Sequence, residues 1–171
     1  KVVAIIDTGV EMNHPAFSGA LHGTPAIDSS KGAALAQQVG KSGTYVSEKF
    51  PFAYDYADND PDASPTGQAG SHGTHVAGIT AGNAGEIVGI APDAQIIVAK
   101  VIQDADGVMS DAAMLAALDD ALVIKPDVIN ISLGDDSGMS SEAGSIFADV
   151  YKALAHAGIT VNAASGNAFS N

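Results

Sequence analysis

The chain contains no cysteine. That excludes a disulfide framework, a thiol nucleophile and a thiolate metal site together. Basic residues are scarce too: 7 Lys and Arg stand against 20 Asp and Glu, for a net charge of −13. Phosphate backbones would repel such a surface, so nucleic acid is excluded as a partner. No apolar run approaches the ~18 residues of a membrane span. No Gly-x-Gly-x-x-Gly follows the first apolar run and no phosphate loop occurs, which weighs against nucleotide binding. Nor is there an internal repeat or a leader-like start. The chain opens directly on Lys1-Val2-Val3, and this beginning, with the end at Asn171, implies a piece of a longer protein. Aromatics are only 5% of the 171 residues, whereas hydrophobic residues are 46%. Such a chain can bury the core of one domain, built from Val/Ile strands and Ala-rich helices.

Four short apolar runs predict buried parallel strands: Val2–Asp7, Ile96–Ile102, Val128–Leu133 and Ile159–Ala163. Each reads as apolar on both faces, the pattern of a sheet covered on both sides. Two helical patterns lie between them. One starts at the N-cap Ser110, runs through Met114, Leu115, Leu118, Ala121 and Leu122, and stops at Lys125-Pro126. The other covers Glu142 to Ala157, with Gly158 as its C-terminal cap. Strands alternating with helices predict a doubly wound α/β domain, its mostly parallel sheet flanked by helices on both faces. Sites in such sheets form at the carboxyl ends of strands, where Asp7 and Gly134 fall. Residues 17 to 71 read differently. Ser18–Gly43 is rich in Gly, Ser, Ala and Thr without periodicity and is expected as a loop. Phe50–Tyr56 is a fifth candidate strand, and Asp58–Asp62 an exposed acidic turn.

Three segments carry candidate chemistry. Asp7 ends the first strand, and Thr8-Gly9 after it form a tight turn that can aim the carboxylate out of the sheet. Ser71-His72-Gly73-Thr74-His75 precedes Val76-Ala77-Gly78-Ile79, an apolar run that can enter a buried helix. That places one imidazole at a helix mouth beside small neighbours. His72 and His75 also make a His-x-x-His pair, but no Glu follows His72 and no third ligand is evident, so no metal is expected there. His75 is expected to pack within the helix. Ala164-Ser165-Gly166-Asn167 follows the last strand, where an Asn is either a turn residue or an amide donor.

Taken together, Asp7-Thr8-Gly9, His14-Pro15, His72–Gly78, Val88–Pro92, Asn130–Gly134 and Ser165–Asn167 resemble the subtilisin-like serine proteases, the subtilases. The order Asp before His is that family's order, not that of chymotrypsin-type or α/β-hydrolase enzymes. The resemblance implies that Asp7 orients the imidazole, His72 is the general base, and Asn167 donates its amide to the oxyanion. It also implies that Ser132, Leu133 and Gly134 line one edge of a cleft and Gly107, Val108 and Met109 the other. A polypeptide substrate would then lie extended between them as an added strand. Phe50–Asp62 resembles the cell-envelope branch of lactocepin and C5a-peptidase-like enzymes, which implies secretion and a bacterial cell-surface or cell-wall location.

Residues 1–171 are therefore expected to be the N-terminal portion of a catalytic domain. The nucleophilic serine, in a Gly-Thr-Ser-Met-Ala-like segment, does not occur in the chain, which by itself is expected to be inactive. The family's further strands imply that this piece has an open sheet edge, inviting self-association. No cofactor is expected. Many bacterial subtilisins carry a calcium ligand just after the His-Pro, but Ala16 stands there. Calcium is expected, if anywhere, elsewhere in the longer protein. The alternative reading is a non-enzymatic α/β binding module or a pseudo-protease.

Overall fold

The computed structural model describes residues 1–67, 70–134 and 141–167, with the backbone alone at 141–145. In chain order the elements are β1 (Val2–Asp7), α1 (Ser29–Gln38), β2 (Phe52–Asp55), α2 (His72–Ala81), β3 (Asn83–Ala84), β4 (Ile87–Val88), β5 (Gln95–Lys100), α3 (Asp111–Ile124), β6 (Val128–Ile131), α4 (Ser141–His156) and β7 (Thr160–Ala163). Five strands form one parallel sheet in the order β2-β5-β1-β6-β7. From β1 the chain passes to the edge strand β2, returns to β5 beside β1, then crosses to β6 and β7 on the other side. Asp7, the last residue of β1, therefore sits at the switch point.

Alternation along β1 sorts the core into two layers. Ala4 and Ile6 face a cluster with Leu35 and Ala36 of α1, Met114, Ala117 and Leu118 of α3, and Phe147 and Leu154 of α4. Val3 and Ile5 face Ala77 and Ala81 of α2, with Phe17 and Phe50. β1 and β5 are buried at every residue, as their apolar runs predict for Val2–Ile6 and Ile96–Ala99, with Asp7, Gln95 and Lys100 buried at their ends.

Three expectations need correcting. The stretch expected as a loop contains α1, capped by the Asp28 carboxylate accepting from the Lys31 amide at 2.9 Å. Its apolar stripe is only Leu35 and Ala36, too thin to register as periodicity. Second, among the described residues, β6 and β7 are not covered on both faces. Thr160 and Asn162 on the edge strand β7 are exposed, and Asn162 Nδ2 donates to Asn130 Oδ1 at 2.9 Å. The bare face is polar, because α2 covers only the β1–β5 half of that side. Third, β6 stops at Ile131, leaving Ser132 and Leu133 in the loop beyond it. The remaining helices agree with the sequence. The Ser110 hydroxyl accepts from the Ala113 amide at 3.3 Å, and Lys125 takes the left-handed cap conformation (φ 56°) ahead of Pro126.

Candidate active site

Asp7 and His72 meet. The Asp7 side chain is 1% exposed, and its Oδ1 lies 2.7 Å from His72 Nδ1. The same oxygen accepts the Thr8 amide at 2.8 Å, which fixes the carboxylate against its own turn. Gly9 makes that turn with φ 98°, and a Cβ there would lie 2.7 Å from the Ala63 carbonyl. Only glycine tolerates both constraints. Asp7 Oδ2 is buried and has no hydrogen-bond donor among the described residues. An ionised carboxylate so poorly solvated gains more than usual from a positive charge forming beside it.

His72 is the first residue of α2. Ser71, at the N-cap, makes no capping side-chain bond. The β1 turn supplies the cap instead: the Gly73 amide donates to Thr8 Oγ1 at 3.0 Å, and the Glu11 amide donates back to Thr74 Oγ1 at 2.9 Å. Gly73 allows the approach, since a Cβ there would sit 2.3 Å from the Gly9 carbonyl and 3.1 Å from Asp7 Oδ1. The buried face of α2 is all small: Gly73, Thr74, Ala77, Gly78 and Ala81. Ile79, read from the sequence as part of a buried run, is instead 57% exposed. His75 does not pack inside either. It is exposed and lines an open groove of about 690 Å³ with Glu11, Ile79 and Ile87.

The two expected cleft edges flank this pair. β5 and β6 are both bonded to β1, so their ends lie two strand spacings apart, ~10 Å, the width one extended chain needs. Past β5, Ile102 bridges Met109 antiparallel and the Gln103 amide donates to Val108 O at 3.0 Å, forming a tight hairpin. Gly107 and Met109 are half-buried and Val108 is exposed. Past β6, Ser132 and Leu133 are half-buried and Gly134 is exposed. Asn167 lies beyond β7 at the same end of the sheet, exposed, after Gly166 turns the chain with φ 86°.

Sequence reasoning missed a buried ammonium beside the pair. Lys100 is the register partner of Asp7 and is 1% exposed. Burial pulls its pKa down, but hydrogen bonds to Asp104 and Asp55 outweigh that and leave it above the usual lysine value. The Lys100 bond, followed by that of Thr66, holds the Asp104 carboxyl low. Asp55, Asp58 and Asp104 converge as a metal site would, yet the Lys100 ammonium already pairs with two of them, Asp55 and Asp104. A lone Lys ending an apolar strand was the available signal. A second buried lysine, Lys49, donates to Pro92 O at 2.8 Å and Ala94 O at 2.9 Å, and burial lowers its pKa to about 8.

A parallel α/β sheet with a carboxylate–imidazole pair at its switch point, flanked by a hairpin on one side and a loop on the other, defines the class. The family model of the subtilase family matches residues 1–171, and the chain belongs to that family. It is 32% identical over 152 residues to the PII-type proteinase of Lactococcus lactis subsp. cremoris, covering 80% of this chain and 8% of that protein. It is 34% identical over 170 residues to the minor extracellular protease Vpr of Bacillus subtilis (strain 168), covering 96% of this chain and 18% of Vpr. Among solved structures, a cold adapted subtilisin-like serine proteinase superposes with a TM-score of 0.61 at 27% identity, covering 97% of this chain and 46% of that one. The chain thus spans less than a fifth of either curated relative.

Proposed function

We propose that residues 1–171 are the N-terminal portion of the catalytic domain of a serine endopeptidase, contributing its Asp and His but not its nucleophile. The carrying observation is the 2.7 Å contact between Asp7 Oδ1 and His72 Nδ1. With Nδ1–H donated to Asp7, the opposite ring nitrogen, Nε2, is the basic one. The ring is about half exposed, so Nε2 can take a proton from a serine hydroxyl and later return it to the leaving amine. Asp7 stays ionised and stabilises the imidazolium between those steps. The Asn167 amide, held by the Gly166 turn, is the donor for the oxyanion. The slot between Gly107–Met109 and Ser132–Gly134 binds an extended polypeptide through main-chain hydrogen bonds.

The serine comes from a segment of the longer protein outside residues 1–171. No cofactor takes part in this scheme. The extracellular location in Vpr's name, and the bacterial source of both relatives, support a secreted bacterial enzyme, and the Phe50–Asp62 resemblance extends that to the cell surface. The test is fluorophosphonate labelling of the longer protein. Stoichiometric labelling that His72→Ala abolishes is expected. A longer protein that never labels is a pseudo-protease, and this reading fails.

A further inference from the structure

The hairpin after β5 does not stand alone. Its turn is pinned from three directions by polar and charged groups that the proposed catalysis does not use. Lys100 Nζ contacts Asp55 Oδ2 at 2.7 Å, at the end of β2. The same ammonium is bonded to the Asp104 carboxylate, inside the hairpin turn. Thr66 Oγ1 bonds the same Asp104 oxygen from the segment leading toward His72. On the other side, the Asp104 amide donates to Asp58 Oδ2 at 2.9 Å. Within the hairpin, the Gly107 amide donates to Gln103 O at 3.0 Å and the Val108 amide to Asp106 Oδ1 at 2.9 Å. Asp104 therefore sits in the same bonded turn as Gly107 and Val108, next to Gln103, which bonds both of them.

We propose that Lys100, acting through Asp104 with Asp55, Thr66 and Asp58, is the positioning residue that holds the Gly107–Met109 edge at strand distance from a bound peptide. The inference rests on the reading of that edge as a substrate edge. Burying an ammonium is costly, and an apolar side chain could fill the same place on β5. What an apolar side chain cannot do is reach past the strand end and hold a carboxylate on the neighbouring turn. Ile102 is buried and Met109 packs against the core, so the base of the hairpin is anchored, whereas its tip, where Val108 is 55% exposed, depends on that hold. An added strand recognises its partner through main-chain bonds that weaken steeply once the edge shifts. The effect should therefore fall on the binding of long peptides, not on the triad.

The experiment uses the longer, labelling-competent protein. Lys100→Met, Lys100→Arg and Asp58→Ala are compared by the rate of fluorophosphonate labelling and by kcat and KM on an extended peptide. The expected result for Lys100→Met and Asp58→Ala is KM raised about tenfold or more, a loss of about one hydrogen bond's worth or more of binding. Labelling should stay within about twofold, and Lys100→Arg should recover much of the affinity. Asp58 is exposed, so Asp58→Ala decides the matter if Lys100→Met fails to fold. An unchanged KM in Asp58→Ala overturns the proposal, as does a fall in labelling that parallels the fall in peptide cleavage. An unaltered protein that does not label at all defeats the protease reading instead.

Discussion

The Gly73 amide donates to Thr8 Oγ1 at 3.0 Å, so the turn that ends β1 caps the helix that carries His72. The same hydroxyl donates to the Gly70 carbonyl at 3.3 Å. Thr8 thus aligns the imidazole with the carboxylate one residue behind it. Thr8→Val, which keeps the shape and removes the hydroxyl, should cost about 1 kcal/mol of stability, the usual worth of a helix cap. Thr8→Ser should keep most of it. Urea denaturation of the two variants checks this, and equal midpoints would refute the cap.

Gly73→Ala tests the closeness of α2 to β1. The new Cβ would stand 2.3 Å from a backbone carbonyl, which cannot swing aside as a side chain can. The helix must move away, and the Asp7–His72 contact lengthens. A loss of about 1–3 kcal/mol is expected from overpacking. Turnover in the longer protein should fall about 10²-fold, as it does when a catalytic group is displaced by about an ångström. Retention of full activity would show that the contact tolerates displacement.

The 171-residue chain by itself should neither label nor hydrolyse peptides. None of its serines, Ser42, Ser132 and Ser165 included, lies in a Gly-Thr-Ser-Met-Ala-like segment. Nucleophile and base act as a unit, so losing either should cost about 10⁶-fold in turnover. His72→Ala in the longer protein should show a loss of that size. Stoichiometric labelling of the isolated chain would mean that the nucleophile has been misplaced.

Lys49 predicts a pH dependence of stability. Its pKa is 10.5 in the unfolded chain and about 8 when buried. Below about 8 both states hold the proton, and the cost of burying the charge is constant. Between about 8 and 10.5 the unfolded state binds a proton that the folded state has lost, so this group makes stability rise with pH across that window. Lys49→Met should abolish that rise while lowering stability throughout, because Pro92 O and Ala94 O lose their donor. Urea midpoints measured from pH 7 to 10.5 decide it, and identical slopes in the two proteins would contradict the assignment.

The sequence by itself determined the alternation of the main strands with α3 and α4, and the identity of the pair. Val2–Asp7 matches β1 residue for residue, because a strand buried on both faces must be an unbroken apolar run. Ser110 and Lys125-Pro126 marked the ends of α3, because capping is local chemistry written within a few residues. Asp7 and His72 were legible because each sits in a short segment with its own turn or helix start. Other features depend on partners distant in the chain. α1 was missed because its thin apolar stripe has meaning only against α3 and the sheet. The polar bare face of β7 follows from α2 covering only half of one side. Lys100 is an ordinary lysine in the sequence. It becomes a buried, doubly paired charge only because parallel pairing brings Asp55 from 45 positions away in the numbering to its side. The 2.7 Å approach of His72 to Asp7 is likewise a tertiary fact, since it needs Thr8 as a cap and Gly73 as a gap. Local chemistry can be read along the chain, whereas burial and distance exist only after distant segments have packed together.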